Sequence, residues 1–179
     1  MNIFILNTGR CGSTTFIKAC EHITNYTAAH ESLSTQSGDA RFAYPVNHIE
    51  ADNRLSWFLG RLDEKYADEA FYVHLSRDKQ KTIESFSKRA DYGIMKAFKE
   101  GILLGGDSDL SPHTTAEDYI DTVEFNIKHF LKDKTKKMSF KLEDASQDFE
   151  QFYDKISAEG DLNAALKEFN INYNASKPG

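Results

Sequence analysis

Several features that would place the chain in a common class of proteins are scarce or missing. Two cysteines in 179 residues are too few for a disulfide framework, which fits a reducing compartment. No run of eighteen apolar residues occurs, so we expect no membrane span. A net charge of −6 argues against a broad nucleic-acid-binding surface. No basic segment precedes the first apolar run, so we expect no signal peptide and a cytoplasmic protein.

Patterns typical of metal sites are missing too. The six histidines are scattered and the two cysteines lie nine residues apart, which is not the spacing of a zinc site. We therefore expect no bound metal. The length is that of one domain over 1–179, with enough chain to bury a real core.

The most informative segment lies at the start of the chain. The apolar run 3–6 leads directly into the letters NTGRCGSTT at 7–15, which predicts a buried strand, a tight glycine turn and a helix. Such a turn directs backbone N–H groups and the positive end of a helix at one spot, which suits a phosphate group. Gly9 and Gly12 permit a positive φ. Arg10 adds a cation, and the hydroxyls of Ser13, Thr14 and Thr15 add donors.

This turn differs from the two commonest nucleotide-binding loops. Ser13 follows Gly12 where a triphosphate-binding loop needs lysine, and the Gly-x-Gly-x-x-Gly spacing is absent. The turn resembles the 5′-phosphosulfate-binding loop of the sulfotransferase family. That resemblance implies that the residues of this loop bind the cofactor, namely Gly9, Arg10, Cys11, Gly12, Ser13, Thr14 and Thr15. An ordinary helix-capping turn is the structural alternative, and Cys11 at a helix N-terminus is a candidate reactive thiol.

A second motif follows the strand expected at 70–75. Arg77 and Asp78 come directly after it, Asp78 is suited to cap a helix, and Ser85 lies eight residues beyond Arg77. This order is similar to the 3′-phosphate-binding segment of the sulfotransferase family. The resemblance assigns Arg77 and Ser85 to the 3′-phosphate of the cofactor. A surface ion pair is the alternative for Arg77.

A third element is His30-Glu31, at the end of the second expected strand. Sulfotransferases related to the carbohydrate and tyrosylprotein enzymes carry a glutamate about twenty residues after the loop arginine, and Glu31 lies twenty-one after Arg10. A carboxylate there can accept the proton of an acceptor hydroxyl. His30 is the rival base. Because side chains alternate along a strand, we expect only one of the two to face the ligand, and we favour Glu31.

The resemblance implies in-line sulfuryl transfer from 3′-phosphoadenosine 5′-phosphosulfate to a hydroxyl or amine of a small-molecule or carbohydrate acceptor, without a metal. Arg10 would stabilise the leaving phosphate, and Lys177 in the C-terminal tail would contact the 3′-phosphate. Two alternatives stay open. One is a kinase of a nucleotide or small metabolite, which would need Mg²⁺. The other is a non-catalytic relative that keeps the nucleotide pocket.

Strands separated by helices predict an α/β fold of three layers, in which helices cover both faces of a mostly parallel sheet. Ligands of such folds bind at the carboxyl ends of the strands. We predict an irregular segment at 32–50 and a lid or acceptor loop at 90–113. The expected strands are 2–7, 26–29, 70–75 and 138–142, and the expected helices are 13–23, 52–68, 79–89, 115–132, 145–157 and 160–168.

Overall fold

Five parallel strands form the centre of the molecule in the computed structural model, which describes residues 1–107, 109–171 and 173. The strands are β1 (Ile3–Leu6), β2 (Thr27–His30), β3 (His48–Ala51), β4 (Phe71–Ser76) and β5 (Lys137–Lys141). Their order across the sheet is β2-β3-β1-β4-β5, and each pairing is parallel. The predicted α/β class with a parallel sheet is confirmed.

Helices connect the strands and cover both faces of the sheet. They are α1 (Ser13–Cys20), α2 (Leu59–Tyr66), α3 (Lys79–Ser87), α4 (Gly93–Ala97), α5 (Pro112–Leu131), α6 (Ala145–Lys155) and α7 (Leu162–Glu168). Shorter 3-10 turns occupy Gly38–Phe42, Asn53–Trp57, Ala67–Glu69 and Leu142–Asp144, and a π-helical turn occupies Phe98–Ile102. Within the described ranges, none of these helices combines the length and the apolar composition that a bilayer crossing needs.

The core has two halves, one on each face of the sheet. Because side chains alternate along a strand, Ile3 and Ile5 of β1 face one half while Phe4 and Leu6 face the other. The first half contains α1, α6 and α7, where Phe16 packs edge-on against Phe140, Phe149 and Phe152. The second half contains residues of α2, α3 and α5. All four side chains of β1 are fully buried, so core packing on both faces holds the strand that leads into the glycine turn.

The prediction of an irregular segment at 32–50 is wrong in two places. It contains the 3-10 turn Gly38–Phe42 and most of β3, which lies between β1 and β2. The physical reason is that β3 is buried over its whole length although it carries His48 and Glu50. Polar residues in a buried strand do not give the apolar run that normally marks one.

The single helix expected at 52–68 is also wrong in its first part. Asp52 accepts a hydrogen bond from the Arg54 amide and caps a separate 3-10 turn, Asn53–Trp57, before α2 begins at Leu59. Helix α5 begins three residues earlier than expected, because Ser111 caps it and Pro112 occupies its first turn. The remaining helices and strands match their predicted positions within a few residues.

Candidate functional site

A cleft of about 520 Å³ lies at the carboxyl ends of the strands. Each of the five strands contributes residues that follow its last position, as expected for a ligand site in a parallel sheet. These contributions are the glycine turn after β1, His30 and Glu31 at the end of β2, Asn53 and Arg54 after β3, Arg77 after β4, and Leu142 after β5. The sequence motifs predicted to act together therefore meet in one cavity.

The glycine turn has a backbone that few sequences can adopt. Gly9, Arg10 and Gly12 have φ values of 87°, 58° and 91°, all in the left-handed region. A Cβ at Gly12 would also lie 2.6 Å from Leu142 Cδ1, so a larger residue would have to displace the end of that side chain as well as adopt a strained backbone. Asn7 Oδ1 accepts from the Gly9 amide at 2.8 Å and so fixes the start of the turn. The turn delivers the chain directly to the first residue of α1, Ser13.

Cationic side chains from three segments line this end of the cleft. Arg10 Nε donates to Ser85 Oγ at 2.9 Å, and an Arg77 guanidinium N–H donates to the Arg10 carbonyl at 3.3 Å. Arg89, from the segment after α3, lines the cleft beside them. Burial lowers the pKa of Arg10, and the positive charges of Arg89 and Arg77 lower it further. Arg77 and Ser85, which the resemblance assigns to one phosphate, both contact Arg10, and Ser85 does not line the cleft.

His30 and Glu31 both line the cleft, so the expectation that only one would face it is wrong. The strand ends at His30, and Glu31 turns into the left-handed region with a φ of 53°, which breaks the alternation. His30 Nε2 lies 3.0 Å from Ser13 Oγ, at the first turn of α1. Glu31 Oε2 forms an ion pair with the Arg54 guanidinium at 2.9 Å. Both candidate proton acceptors therefore have a defined partner in the cavity.

Several cleft residues were not predicted from the sequence. Asn53 and Arg54 were missed because they follow β3, which was itself missed. Asn53 Nδ2 lies 3.4 Å from the Thr8 carbonyl and 3.5 Å from the Tyr119 hydroxyl, so it links the turn after β3 to the glycine turn. Residues 92–95 of the segment predicted as a lid or acceptor loop line the cleft as well. Arg89 lies four residues beyond Ser85, a helical spacing that is the one signal that could have identified it.

The side chain of Cys11, in the middle of the turn, belongs to the hydrophobic core. It is 1% exposed, and its Sγ lies 3.5 Å from Asn7 Oδ1. Burial raises the pKa of its thiol to about 12, so the reactive thiolate considered from the sequence does not fit this position. Only the backbone of Cys11 is suited to contact a ligand. Lys177, the remaining predicted ligand-binding residue, lies outside the described residues.

The burial of Cys11 makes a simple prediction about labelling. At pH 8 the thiol is fully protonated, because its pKa is far above that pH. We expect iodoacetamide to leave Cys11 of the folded protein unmodified over hours and to label it within minutes in 6 M guanidinium chloride, about the concentration that unfolds even very stable domains. Peptide mapping by mass spectrometry measures this. Rapid labelling of the native protein would show that the turn opens readily and that Cys11 is accessible.

No family model matches the sequence, and no curated protein matches it either. Function must therefore be inferred from the cavity itself. Among residues 1–107, 109–171 and 173, no three His, Cys, Asp or Glu side chains lie close enough together to hold a metal ion. What the cavity offers is a concentration of guanidinium groups around a glycine turn and a helix N-terminus, with an imidazole and a carboxylate in the same space. That combination suits an anionic ligand and a proton transfer.

Proposed function

We propose that this protein transfers a sulfuryl group from 3′-phosphoadenosine 5′-phosphosulfate to a hydroxyl or amine of a small-molecule or carbohydrate acceptor. The observation that carries the proposal is the meeting, in one cleft, of the glycine turn, Arg10 and Arg77 with Glu31. These are the residues that the resemblance to sulfotransferases assigns to the cofactor and to the proton acceptor. They come from three separate segments of the chain.

The proposed cofactor carries two anionic groups, and the cleft has two kinds of anion-binding feature. The left-handed turn at Gly9–Gly12 and the first turn of α1 suit the 5′-phosphosulfate, because backbone N–H groups and the helix dipole favour negative charge there. Arg77 and Arg89 are the candidates for the 3′-phosphate. Burial, and to a smaller extent the positive charges of Arg89 and Arg77, lower the pKa of Arg10, and a bound anion would oppose both effects.

The proposed step is a direct displacement at sulfur. The acceptor oxygen forms a new bond to sulfur, the bond between sulfur and the 5′-phosphate oxygen breaks, and the acceptor proton passes to the Glu31 carboxylate. The products are the sulfated acceptor and 3′-phosphoadenosine 5′-phosphate, abbreviated PAP. Arg10 and the N-terminus of α1 would stabilise the negative charge that develops on the leaving phosphate. As in phosphoryl transfer, positioning and charge stabilisation are the main contributions of the protein.

Glu31 is our first candidate for the proton acceptor, and His30 is the second. His30 contacts Ser13 at the first turn of α1, where the proposal puts the phosphosulfate. Glu31 contacts Arg54 instead, which is outside the glycine turn. Of the two groups, only the Glu31 carboxylate has its partner away from the anion-binding end of the cleft. In this proposal the acceptor enters on the side of Glu31.

Calorimetric titration with PAP tests the cofactor site. We expect PAP to bind more tightly than AMP, which lacks the 3′-phosphate, and Arg77→Ala to weaken PAP binding about 10- to 150-fold while changing AMP binding little. That range corresponds to the loss of a charged hydrogen bond of about 1.5–3 kcal/mol. Arg61→Ala is the matched control, because Arg61 pairs with Asp39 and does not line the cleft.

The other outcomes of this titration identify the alternatives. Preferential binding of ATP with Mg²⁺ would favour a kinase and contradict the sulfotransferase proposal. Binding of none of the three nucleotides would make the glycine turn an ordinary structural turn. Tight PAP binding without turnover, across acceptors that carry hydroxyl or amine groups, would identify a non-catalytic nucleotide-binding relative.

A further inference from the structure

A fully buried carboxylate holds the residue that follows Glu31. Glu50, in the middle of β3, has an exposed fraction of 0%. Its Oε1 accepts from the Ser32 amide at 2.8 Å, and its Oε2 accepts from Ser32 Oγ at 2.5 Å. His48 Nε2 lies 3.0 Å from the same Oε2. Both oxygens of the carboxylate are therefore used, and two of the three contacts go to one residue.

Burying a carboxylate at position 50 costs free energy of desolvation. Strands in the middle of a parallel sheet are buried on both faces and are usually apolar, and an ionised group there must be fully hydrogen-bonded. The contacts of Glu50 meet that need, and they extend through His48, whose Nδ1 lies 2.8 Å from Thr27 Oγ1. The network thus connects β3 to the first residue of β2 and to the turn after its last residue. A role in fixing that turn would account for the buried charge.

The turn after β2 needs such a constraint. Glu31 has a φ of 53°, which is unfavourable for a residue with a side chain and persists only where its surroundings hold it. The Glu31 amide donates to the Ala51 carbonyl at 3.0 Å, which fixes one side of the residue. The two bonds from Ser32 to Glu50 fix the other side. Because of this conformation, Glu31 lies in the cleft beside His30 instead of on the opposite face of the strand.

Asp52, two residues after Glu50, holds the backbone of Arg54, which is the partner of Glu31. Asp52 is fully buried, and its Oδ1 accepts from the Arg54 amide at 2.8 Å. Arg54 forms the ion pair with Glu31. The two buried acids at positions 50 and 52 therefore hold the backbone on both sides of that ion pair.

We propose that Glu50 is a positioning residue: through Ser32 it holds Glu31 in the left-handed turn that puts its carboxylate in reach of the acceptor. This inference rests on the proposed function in one respect, namely that Glu31 accepts the proton. It differs from a purely structural role, because it predicts an effect on turnover without an effect on nucleotide binding. A misplacement of about 1 Å in a reacting group can lower a rate about 100-fold.

Four variants separate these roles. Glu50→Leu removes both acceptors, and Glu50→Gln keeps an acceptor for the Ser32 amide and a donor for its hydroxyl. Ser32→Ala removes one bond at an exposed residue, so it keeps the test valid if Glu50→Leu fails to fold. Glu124→Gln is the control, because it removes a carboxylate that pairs with the buried His74 at 3.1 Å and does not line the cleft.

Two readouts are compared. The first is hydrogen exchange at the Ser32 amide by NMR, which does not depend on activity. The second is kcat with an acceptor that the wild-type protein sulfates, together with the Kd of PAP. For Glu50→Leu we expect exchange at Ser32 to be at least about tenfold faster, kcat to be about 10- to 100-fold lower, and the Kd of PAP to stay within about twofold. Ser32→Ala should lower kcat about 3- to 10-fold, as for one lost hydrogen bond.

The Gln variant supplies the rescue. Glu50→Gln should recover kcat to within about fivefold of wild type, because the hydrogen-bonding geometry is kept. Unchanged exchange at Ser32 in Glu50→Leu, or an unchanged kcat in Ser32→Ala should Glu50→Leu not fold, would overturn the inference. So would an equal loss of kcat in Glu124→Gln, or a loss of PAP binding as large as the loss of kcat. A wild-type protein without turnover would refute the proposed function, and exchange at Ser32 would then decide by itself whether Glu50 holds the turn.

Discussion

Replacing Glu31 by glutamine is expected to lower kcat about 10²- to 10⁴-fold, the range of a lost general base. Glutamine has nearly the same shape as glutamate, and its carbonyl oxygen can still accept from the Arg54 guanidinium that pairs with Glu31. The geometry of the cleft should therefore persist while the group that takes the proton is lost. The Kd of PAP should stay within about twofold, because Glu31 has no role in the proposed anion sites.

His30→Gln is the comparison for this experiment. If Glu31 is the base, His30→Gln should lower kcat less than Glu31→Gln does, through the loss of the contact with Ser13. The reverse order would make His30 the base and Glu31 a residue that orients the acceptor. Equal kcat values in wild type and Glu31→Gln, at saturating cofactor and acceptor, would show that neither the proposed proton transfer nor its positioning by Glu50 contributes to turnover.

Removing the Asp52 carboxylate is expected to lower the free energy of unfolding by about 3–5 kcal/mol. Asp52 is fully buried and forms an ion pair with Arg41, which is only 3% exposed. In Asp52→Ala the guanidinium would stay buried without its counter-charge, and the Arg54 amide would lose its acceptor. Urea denaturation at pH 7, followed by circular dichroism, measures the change.

The Arg41–Asp52 pair as a whole should add far less to the free energy of unfolding than the removal of one partner alone takes away. Burial raises the pKa of Asp52 above its ordinary value, although the charge of Arg41 acts in the opposite direction. A carboxyl whose pKa is raised on folding adds stability at low pH, and that contribution is lost as the pH rises through the raised pKa. At pH 7 the ionised form is therefore costly to bury. We expect Arg41→Leu with Asp52→Leu to be much more stable than the sum of the single variants predicts.

Additive losses in this double variant would mean that the two charges stabilise the fold independently of one another. Asp39→Ala supplies the reference for an exposed ion pair. Asp39 is fully exposed and pairs with Arg61, and we expect the free energy of unfolding to change little.

The sequence was most informative where the deciding contacts are local. The glycine turn and the start of α1 are specified by consecutive residues, and Asp78 accepts from the Lys81 amide to cap α3 as its position implies. The carboxyl ends of β1 and β4 follow from the apolar runs before them. Once the strands are parallel, their motifs must meet at one edge of the sheet. The resemblance to sulfotransferases assigns Arg10 and Arg77 to one ligand, and this rule agrees with that assignment.

The failure to recognise β3 and the turn after β2 has one cause, which is the pairing of polar groups that are distant in the sequence. Glu50 looks like a loop residue until Ser32 and His48 are seen to satisfy it. The same contacts hold the left-handed turn at Glu31, and that turn is the reason both His30 and Glu31 reach the cleft. Since β3 could not be recognised, the cleft residues shortly after it, Asn53 and Arg54, could not be assigned to the site.

The central place of β1 in the sheet has a consequence for folding during synthesis. Strand β1 has to pair on both sides, with β3 from residue 48 onward and with β4 from residue 71 onward, and both partners are made after it. Neither partner exists when β1 emerges, and at about 5–20 residues per second the second one follows several seconds later. Until then this fully apolar strand can pair on one side at most, with β3. We therefore expect the centre of the sheet to be completed only after β4 has been made.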